Sequence, residues 1–219
     1  MPANLLLPFA KQLSLPLNAQ QLEHLATYAQ CVWEKKDFLN LTSVKTLDEI
    51  FTRHLADGLV AASKIATIAC TKKWSAPQIA DVGSGAGYIG FTLAIALPNT
   101  QVTCVESLEK RCSFMNWAAL KTGISNLSIR NARLGQTNSF QFDAVTERAM
   151  GQLPEIIDSC MQAVKPGGIF LAYQGEHPQT QDCKLMQDSF LQGEFAYSLP
   201  CTDNKKRHIV LFEKRGHAL

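Results

Sequence analysis

Residues 78–91 read QIADVGSGAGYIGF. A short apolar run, Ile79 to Val82, carries one acid, Asp81. Glycines fall at Gly83, Gly85, Gly87 and Gly90, and an apolar segment follows from Phe91 to Leu97. This is the order strand, glycine-rich turn, helix. Glycine accepts positive φ and lets a ligand lie against bare backbone. The first amide N–H groups of the helix point into such a turn. Four glycines within Gly83–Gly90 are conformationally too costly for a turn without a purpose. The stretch predicts a nucleotide-type ligand at the end of a strand.

Two ligands fit. Gly85-x-Gly87-x-x-Gly90 matches the dinucleotide pattern, but that loop begins directly after its strand, where Gly83 stands. Asp81-x-Gly83-x-Gly85-x-Gly87 resembles instead the loop of S-adenosylmethionine (SAM) methyltransferases. QVTCVES (101–107) reads as a second strand ending in Glu106, an acid that takes ribose hydroxyls in both families and so does not discriminate. Further strands are predicted at 127–129, 142–145 and 169–173. Between them, Ser107 opens a helix to Thr122, a second runs from Leu153 to Val164, and Lys165-Pro-Gly-Gly168 is a turn. The pattern is a doubly wound parallel α/β domain, Rossmann-like. Glu194–Pro200 and His208–Phe212 are separated only by a short polar loop and predict an antiparallel hairpin at the sheet edge. Dinucleotide domains usually end on parallel strands, so the hairpin favours SAM more firmly than the glycines do.

Ahead of the glycine stretch, residues 1–70 form an α-helical extension, and 71–219 form the methyltransferase domain as one compact unit. Asn18 is placed to cap a helix to about Lys36, with Leu22, Leu25, Ala29, Val32 and Trp33 on one face. Thr46-Leu-Asp-Glu49 is a capping box opening a helix through Arg53, His54 and Asp57. The seven cysteines are scattered without a C-x-x-C pair, which predicts reduced thiols in a cytoplasmic protein and neither disulfides nor a metal site. The longest apolar runs are too short for a membrane span, and the N-terminus lacks a signal-peptide pattern. A monomer is expected. A net charge of +2 neither requires nor forbids a nucleic-acid partner.

Several motifs together resemble the bacterial 16S ribosomal RNA guanine-N7 methyltransferases, also known as glucose-inhibited division protein B. They are NLTSV (40–44), RHLADGL (53–59), DVGSGAGYIG (81–90), ESLEKR (106–111), NAR (131–133), ERA (147–149), PGG (166–168) and RHIV (207–210). The resemblance implies methyl transfer from SAM to N7 of a guanine in the decoding-centre loop of 16S rRNA, position 527 in the family. The partner it implies is the small ribosomal subunit. Asp81, Gly83, Gly85, Gly87 and Glu106 would build the cofactor site, with Tyr88 beside Gly83 at the methionine end. Leu134 and Gly135 would lie by the adenine. Arg148 would close the pocket, and Lys110, Arg111, Arg133 and Arg207 would face RNA or the target base. Arg148, Arg133 and Lys110 are the expected base-positioning residues. Four residues depart from the family pattern: Ile89 stands in place of a proline, Gly135 of an acid, Glu147 of a small hydroxyl residue and Gln174 of a lysine, Glu147 adding negative charge beside the site.

The chemistry agrees by omission. Guanine N7 already carries a free lone pair, so the site needs alignment rather than a strong base. Thr146-Glu147-Arg148-Ala149 stands where amine methyltransferases carry a D/N/S-P-P-Y/F/W motif. Arg148 is suited to donate to guanine O6, to contact SAM, or to pair with Glu147 or another acid. Lys110-Arg111, Arg130, Arg133 and Lys205-Lys206-Arg207-His208 would form a basic rim for phosphates. The base must be unpaired, since N7 faces the deep groove of A-form RNA. His54 reads as a hydrogen-bonded packing residue and Asn40 as a turn former or ligand contact. Cys201 after Pro200 is weighed as a nucleophile and set aside, because the hairpin lies away from the crevice. The rival readings are a SAM methyltransferase of another acceptor, a nicotinamide oxidoreductase, and a SAM-binding RNA-associated assembly factor.

Overall fold

The run that follows Gln78 is apolar but for Asp81, and the protein buries both of its faces. The computed structural model describes residues 2–134, 141–178, 180, 181, 183, 185, 187–200 and 206–216. Its strands are β1 (Gln78–Val82), β2 (Gln101–Glu106), β3 (Leu127–Asn131), β4 (Phe142–Glu147), β5 (Val164–Gln174), β6 (Ser189–Tyr197) and β7 (Arg207–Lys214). They form one sheet in the order β3-β2-β1-β4-β5-β7-β6. The first five are parallel, and β7 runs antiparallel to both β5 and β6. The expected terminal hairpin is therefore present. It begins earlier than the sequence suggested, at Ser189. Lys165-Pro-Gly-Gly168 is an irregularity inside β5: Val164 pairs with Phe142 and Ile169 with Ala144, and Gly167 takes φ +77° to absorb the extra residues.

Side-chain alternation assigns the two faces. Ile79, Ala144, Ile169 and Leu171 pack with the N-terminal helices, α5 (Tyr88–Ala96) and α6 (Glu109–Thr122). Ala80, Val82, Val145 and Phe170 pack with Leu153, Ile157, Cys160 and Met161 of α7 (Leu153–Gln162). The N-terminal helices are α1 (Leu7–Gln12), α2 (Ala19–Leu39), the single turn α3 (Leu47–Glu49) and α4 (Ala56–Lys72), with a π-helical segment, Ile50–Leu55, joining α3 to α4. Asn18 and Thr46 both form capping boxes, with Gln21 and Glu49. Asn40 ends α2 in the left-handed conformation. Ser107 does not cap α6; the Glu106 carboxylate accepts the Leu108 N–H at 2.9 Å and takes that role.

The extension braces the glycine turn. Tyr28 of α2 is fully buried, donates its hydroxyl to Ala86 O at 2.8 Å and stacks on Phe91 at 4.1 Å. Gln21 donates to the carbonyls of Ile95 and Ala96 at the end of α5. Helices α4 and α5 cross at Gly58, where an added Cβ would stand 2.4 Å from Thr92 Cβ.

Beneath the turn two acids are buried, one on each face of the sheet. Asp81 accepts the Gly90 N–H and the Thr146 hydroxyl, each at 3.1 Å. Glu147 faces the α7 side and accepts the Met150 N–H. Burial pushes Asp81 up to about 6 and Glu147 up to about 7. Glu147 is thus turned inward and does not lie beside the site as a free charge.

Two outcomes are expected. Gly58→Ala gains helix propensity of about 1 kcal/mol but must displace Thr92, an overpacking cost of about 1–3 kcal/mol. Urea denaturation should show net destabilisation; a stabilised variant would mean the crossing is looser than described. The second concerns pH. With both folded values raised, the native state keeps protons that the unfolded chain releases, so these acids favour folding least at the alkaline end. Stability falls as pH rises from about 4 to about 7. Glu147→Gln keeps an acceptor for Met150 and removes the ionisation. Its melting temperature should exceed wild type by more at pH 8 than at pH 5, and an equal gap at both would contradict the assignment.

Candidate cofactor and acceptor site

The sheet order reverses at β1, between β2 and β4, and loops from the carboxyl ends of these strands open a crevice there. Gly83, Gly85 and Gly87 all adopt positive φ, at 63°, 61° and 90°. At Gly83 a side chain is excluded twice over, by its φ and by Met150, whose Cγ and Sδ would lie 2.9 Å from a Cβ. Ile89 sits in the first turn of α5 and is 2% exposed, filling as an apolar residue the place of the expected proline.

The crevice holds two chambers. The first, about 510 Å³, is lined by Gly83, Glu106, Arg111, Arg133, Leu134 and Ala149 among others. The second, about 690 Å³, is lined by Arg53, Arg148, Ala149, Gln174, Lys206 and Arg207 among others. Ala149 is shared. Its φ of +63° is unusual for a residue with a side chain and marks the sharp turn after β4.

Glu106 governs the first chamber. One carboxylate oxygen accepts the Gly85 N–H at 2.9 Å and the other the Leu108 N–H at 2.9 Å. The acid therefore ties the glycine turn to α6. A carboxylate has about four acceptor positions, so lone pairs are left for ribose hydroxyls. Arg111 reaches Glu106 at 3.6 Å, and its buried Nε has no hydrogen-bond partner among the described residues. A carboxylate, bare glycine backbone, an unpartnered guanidinium nitrogen and the apolar Leu134 suit an adenosyl ligand bearing a ribose.

The second chamber is built on a buried ion cluster. Asp57 of α4 is 0% exposed. Its Oδ2 accepts from Arg148 at 2.9 Å and from Arg207 at 2.7 Å, and its Oδ1 accepts from the Tyr197 hydroxyl at 2.7 Å. Asp57 raises Arg148 above the ordinary guanidinium range, against the effect of burial. The Arg148 guanidinium also lies 5.3 Å from the Tyr88 ring centroid, and Tyr88 stacks on His54 at 4.1 Å. Burial first, and Arg148 next, press His54 down to about 3. The ring is neutral at physiological pH. It accepts from Arg148 at Nδ1, and that assigns Nε2 as donor to Thr42 Oγ1 at 2.8 Å. Arg53 and His54 both lie in the π-helical segment, a distortion common at functional sites.

The structure sorts the residues anticipated from sequence. Gly83, Glu106, Arg111, Arg133 and Leu134 meet in the first chamber, and Arg148 and Arg207 in the second. Asp81 lines neither chamber and reaches a ligand only through the turn it holds. Tyr88 is 4% exposed and stands behind Arg148. Lys110 is exposed on the first turn of α6 and lines neither chamber, and Arg133 is on the cofactor side, so the expected trio with Arg148 is not brought together. Arg111 turns toward Glu106 rather than outward. Arg148 pairs with an acid, as one reading allowed, but that acid is Asp57 and not Glu147. Gly135 and Cys201 lie outside the described residues, and the hairpin, expected to lie away from the crevice, in fact lines its second chamber through Tyr197 and Arg207. The sequence reading missed Asp57 as a site residue, along with Tyr197. The signal was available: Asp57 is the single charge in the apolar stretch from Leu55 to Ala62.

Comparison with known proteins supplies the family. A family model described as rRNA small subunit methyltransferase G matches residues 21–210. Ribosomal RNA small subunit methyltransferase G of Leptothrix cholodnii is 29% identical over 203 residues, 92% of this chain and 91% of that protein. The protein of that name from Methylibium petroleiphilum is 30% identical over 172 residues, 78% of this chain and 76% of the other. Among solved structures, the O-methyltransferase TomG from Streptomyces achromogenes, in complex with SAM, superposes with a TM-score of 0.59 at 15% identity, covering 89% of this chain and 90% of that one. TrmN from Thermus thermophilus gives 0.54 at 15% identity, covering 75% and 53%. At such identities these two likenesses establish the fold, a SAM-dependent methyltransferase sheet. With the family match spanning most of its length and the glycine turn, Glu106 and the arginine chamber in place, this chain belongs to the rRNA small subunit methyltransferase G family.

Proposed function

We propose that the chain transfers a methyl group from SAM to N7 of a guanine in the decoding-centre loop of 16S rRNA, the position numbered 527 in the family. The observation that carries this reading is the pair of chambers meeting at Ala149, one holding a carboxylate and the other two guanidinium groups. When bound, SAM supplies an electrophilic methyl on a cationic sulfur. The residues of the chain do the rest by holding and excluding. Glu106 takes the ribose hydroxyls while keeping the Gly85 turn in place. Gly83 leaves room against Met150 at the methionine end, and Leu134 covers the adenine. Arg148 and Arg207 donate to the O6 edge of guanine and to nearby phosphate, leaving N7 unprotonated and facing the first chamber. Arg53 and Lys206 add charge at the mouth for the RNA backbone.

His54 is held neutral, near 3, so it does not titrate in the working range. Catalysis is then alignment of nucleophile, methyl and sulfur. Gln174, which donates to the Tyr173 carbonyl, offers the acceptor chamber a neutral amide in place of a lysine charge. Residues 1–70 and 71–219 work together in this reading, since Arg53 and Asp57 come from the first part and Arg148 and Arg207 from the second. The rRNA methyltransferase relatives support action on the small subunit or its RNA, and the form proposed for it is a monomer in the cytoplasm.

The test is transfer of labelled methyl from SAM to small subunits lacking the modification, followed by mapping of the labelled nucleotide. Label at one decoding-loop guanine N7 is expected. Tight SAM binding with no label on the RNA would contradict the reading and favour a SAM-binding assembly factor. Single-turnover rates should be flat between about pH 6 and 9, because guanine N7 already carries its lone pair and no proton has to leave before attack. A rising limb in that range would reveal a titrating base and refute the alignment mechanism. Glu106→Gln should weaken SAM binding by about tenfold, read by calorimetry, with little change in subunit affinity.

A further inference from the structure

The acceptor chamber is built over a buried residue, Asp57, that holds two of its arginines. Asp57 is wholly buried, and both arginines of the chamber fall on the same carboxylate oxygen, at 2.9 and 2.7 Å. Two guanidinium groups sharing one acceptor repel each other, and without the carboxylate between them they would part. The other oxygen is held by Tyr197, and the Asp57 carbonyl accepts from the Tyr173 hydroxyl at 2.8 Å. The carboxylate therefore has little freedom to rotate. The groups around it come from four elements: α4 itself, the turn after β4, β6 and β7, with Tyr173 from β5 on the backbone side. Arg148 and Arg207 keep part of their side chains exposed, 19% and 34%, on the chamber side. One carboxylate against two guanidinium groups leaves the cluster with a net positive charge toward the cavity.

We infer that Asp57 is the positioning residue of acceptor recognition. It holds Arg148 and Arg207 side by side, so that a purine presenting O6 beside N7 meets two preset donors instead of two mobile ones. This rests on the acceptor reading above. A planar fork locked in place discriminates among bases better than a flexible cation, because its donors cannot follow a misplaced acceptor. Through the same carboxylate, the hairpin that carries Tyr197 and Arg207 is joined to the turn that carries Arg148. Alignment at N7 thus depends on a contact between strands distant in sequence.

The experiment compares wild type, Asp57→Asn, Arg148→Ala and the double variant in methyl transfer at saturating SAM and saturating subunits. Asp57→Asn should lower the saturating rate by about tenfold to a hundredfold, while the dissociation constant for S-adenosylhomocysteine stays within threefold. The double variant should lose less than the product of the two single losses, because Asp57 acts in part through Arg148 and in part through Arg207. A rate within threefold of wild type for Asp57→Asn, or losses that multiply in the double variant, would overturn the proposal. A purely structural aspartate would lower the melting temperature and the fraction of active enzyme, and would give multiplying losses. Should Asp57→Asn fail to fold, Tyr197→Phe keeps every charge and frees one carboxylate oxygen. It should cut the saturating rate several-fold with cofactor binding unchanged, and an unchanged rate overturns the inference. If wild type itself labels no RNA, the acceptor reading falls and this inference with it. If wild type labels and Asp57→Asn labels as fast, the inference alone falls.

Discussion

A carboxylate shut away from water must have its charge met within the protein, and Asp57 draws in two arginines and Tyr197 to meet it. That requirement organises the acceptor half of the molecule. It brings a helix from the N-terminal extension against the ends of β4, β5, β6 and β7, and through it the hairpin and the Arg148 turn share a wall. Removing one partner from such a cluster leaves an unpaired buried charge, which is strongly destabilising. The cost of building the cluster is justified by placement: two cations remain side by side at the edge of a cavity.

A few residues divide the chambers by simple alternation. Thr146 points to Asp81 on the α5 face, Glu147 to the α7 face, and Arg148 leaves the strand toward Asp57. Ala149 then turns back at positive φ and becomes the partition. On the cofactor side a second carboxylate plays a parallel part, since Glu106 spans the Gly85 amide and the start of α6. Each chamber is thus governed by one acid from a different element, one facing an uncharged ligand edge and one fully engaged by arginine. The cationic cofactor and the electron-rich guanine edge are the ligands these two environments suit.

Much of this was legible in the sequence because it rests on local rules. The glycine stretch sets its own backbone, the capping boxes at Asn18 and Thr46 close over three residues, and strand periodicity marks all seven strands. Glu106 was legible because the acid follows directly from the strand it ends. What escaped was contact between parts far apart in the chain. Asp57 and Arg207 stand 150 residues apart, and no spacing rule links them. Glu147 looked like charge beside the site because its position in the strand does not say which face it takes until the sheet is built. Lys110 and Arg111 are neighbours in sequence yet diverge on α6, one to solvent and one to Glu106.

Separate chambers for cofactor and acceptor, joined at Ala149, are the arrangement that the two linings support. A crystal structure with S-adenosylhomocysteine and a guanosine nucleotide bound together tests it most directly. The account predicts the cofactor ribose on Glu106, the purine O6 within hydrogen-bonding distance of Arg148 or Arg207, and N7 turned toward the cofactor sulfur. A purine seated away from both arginines, or a ribose that does not engage Glu106, would contradict it.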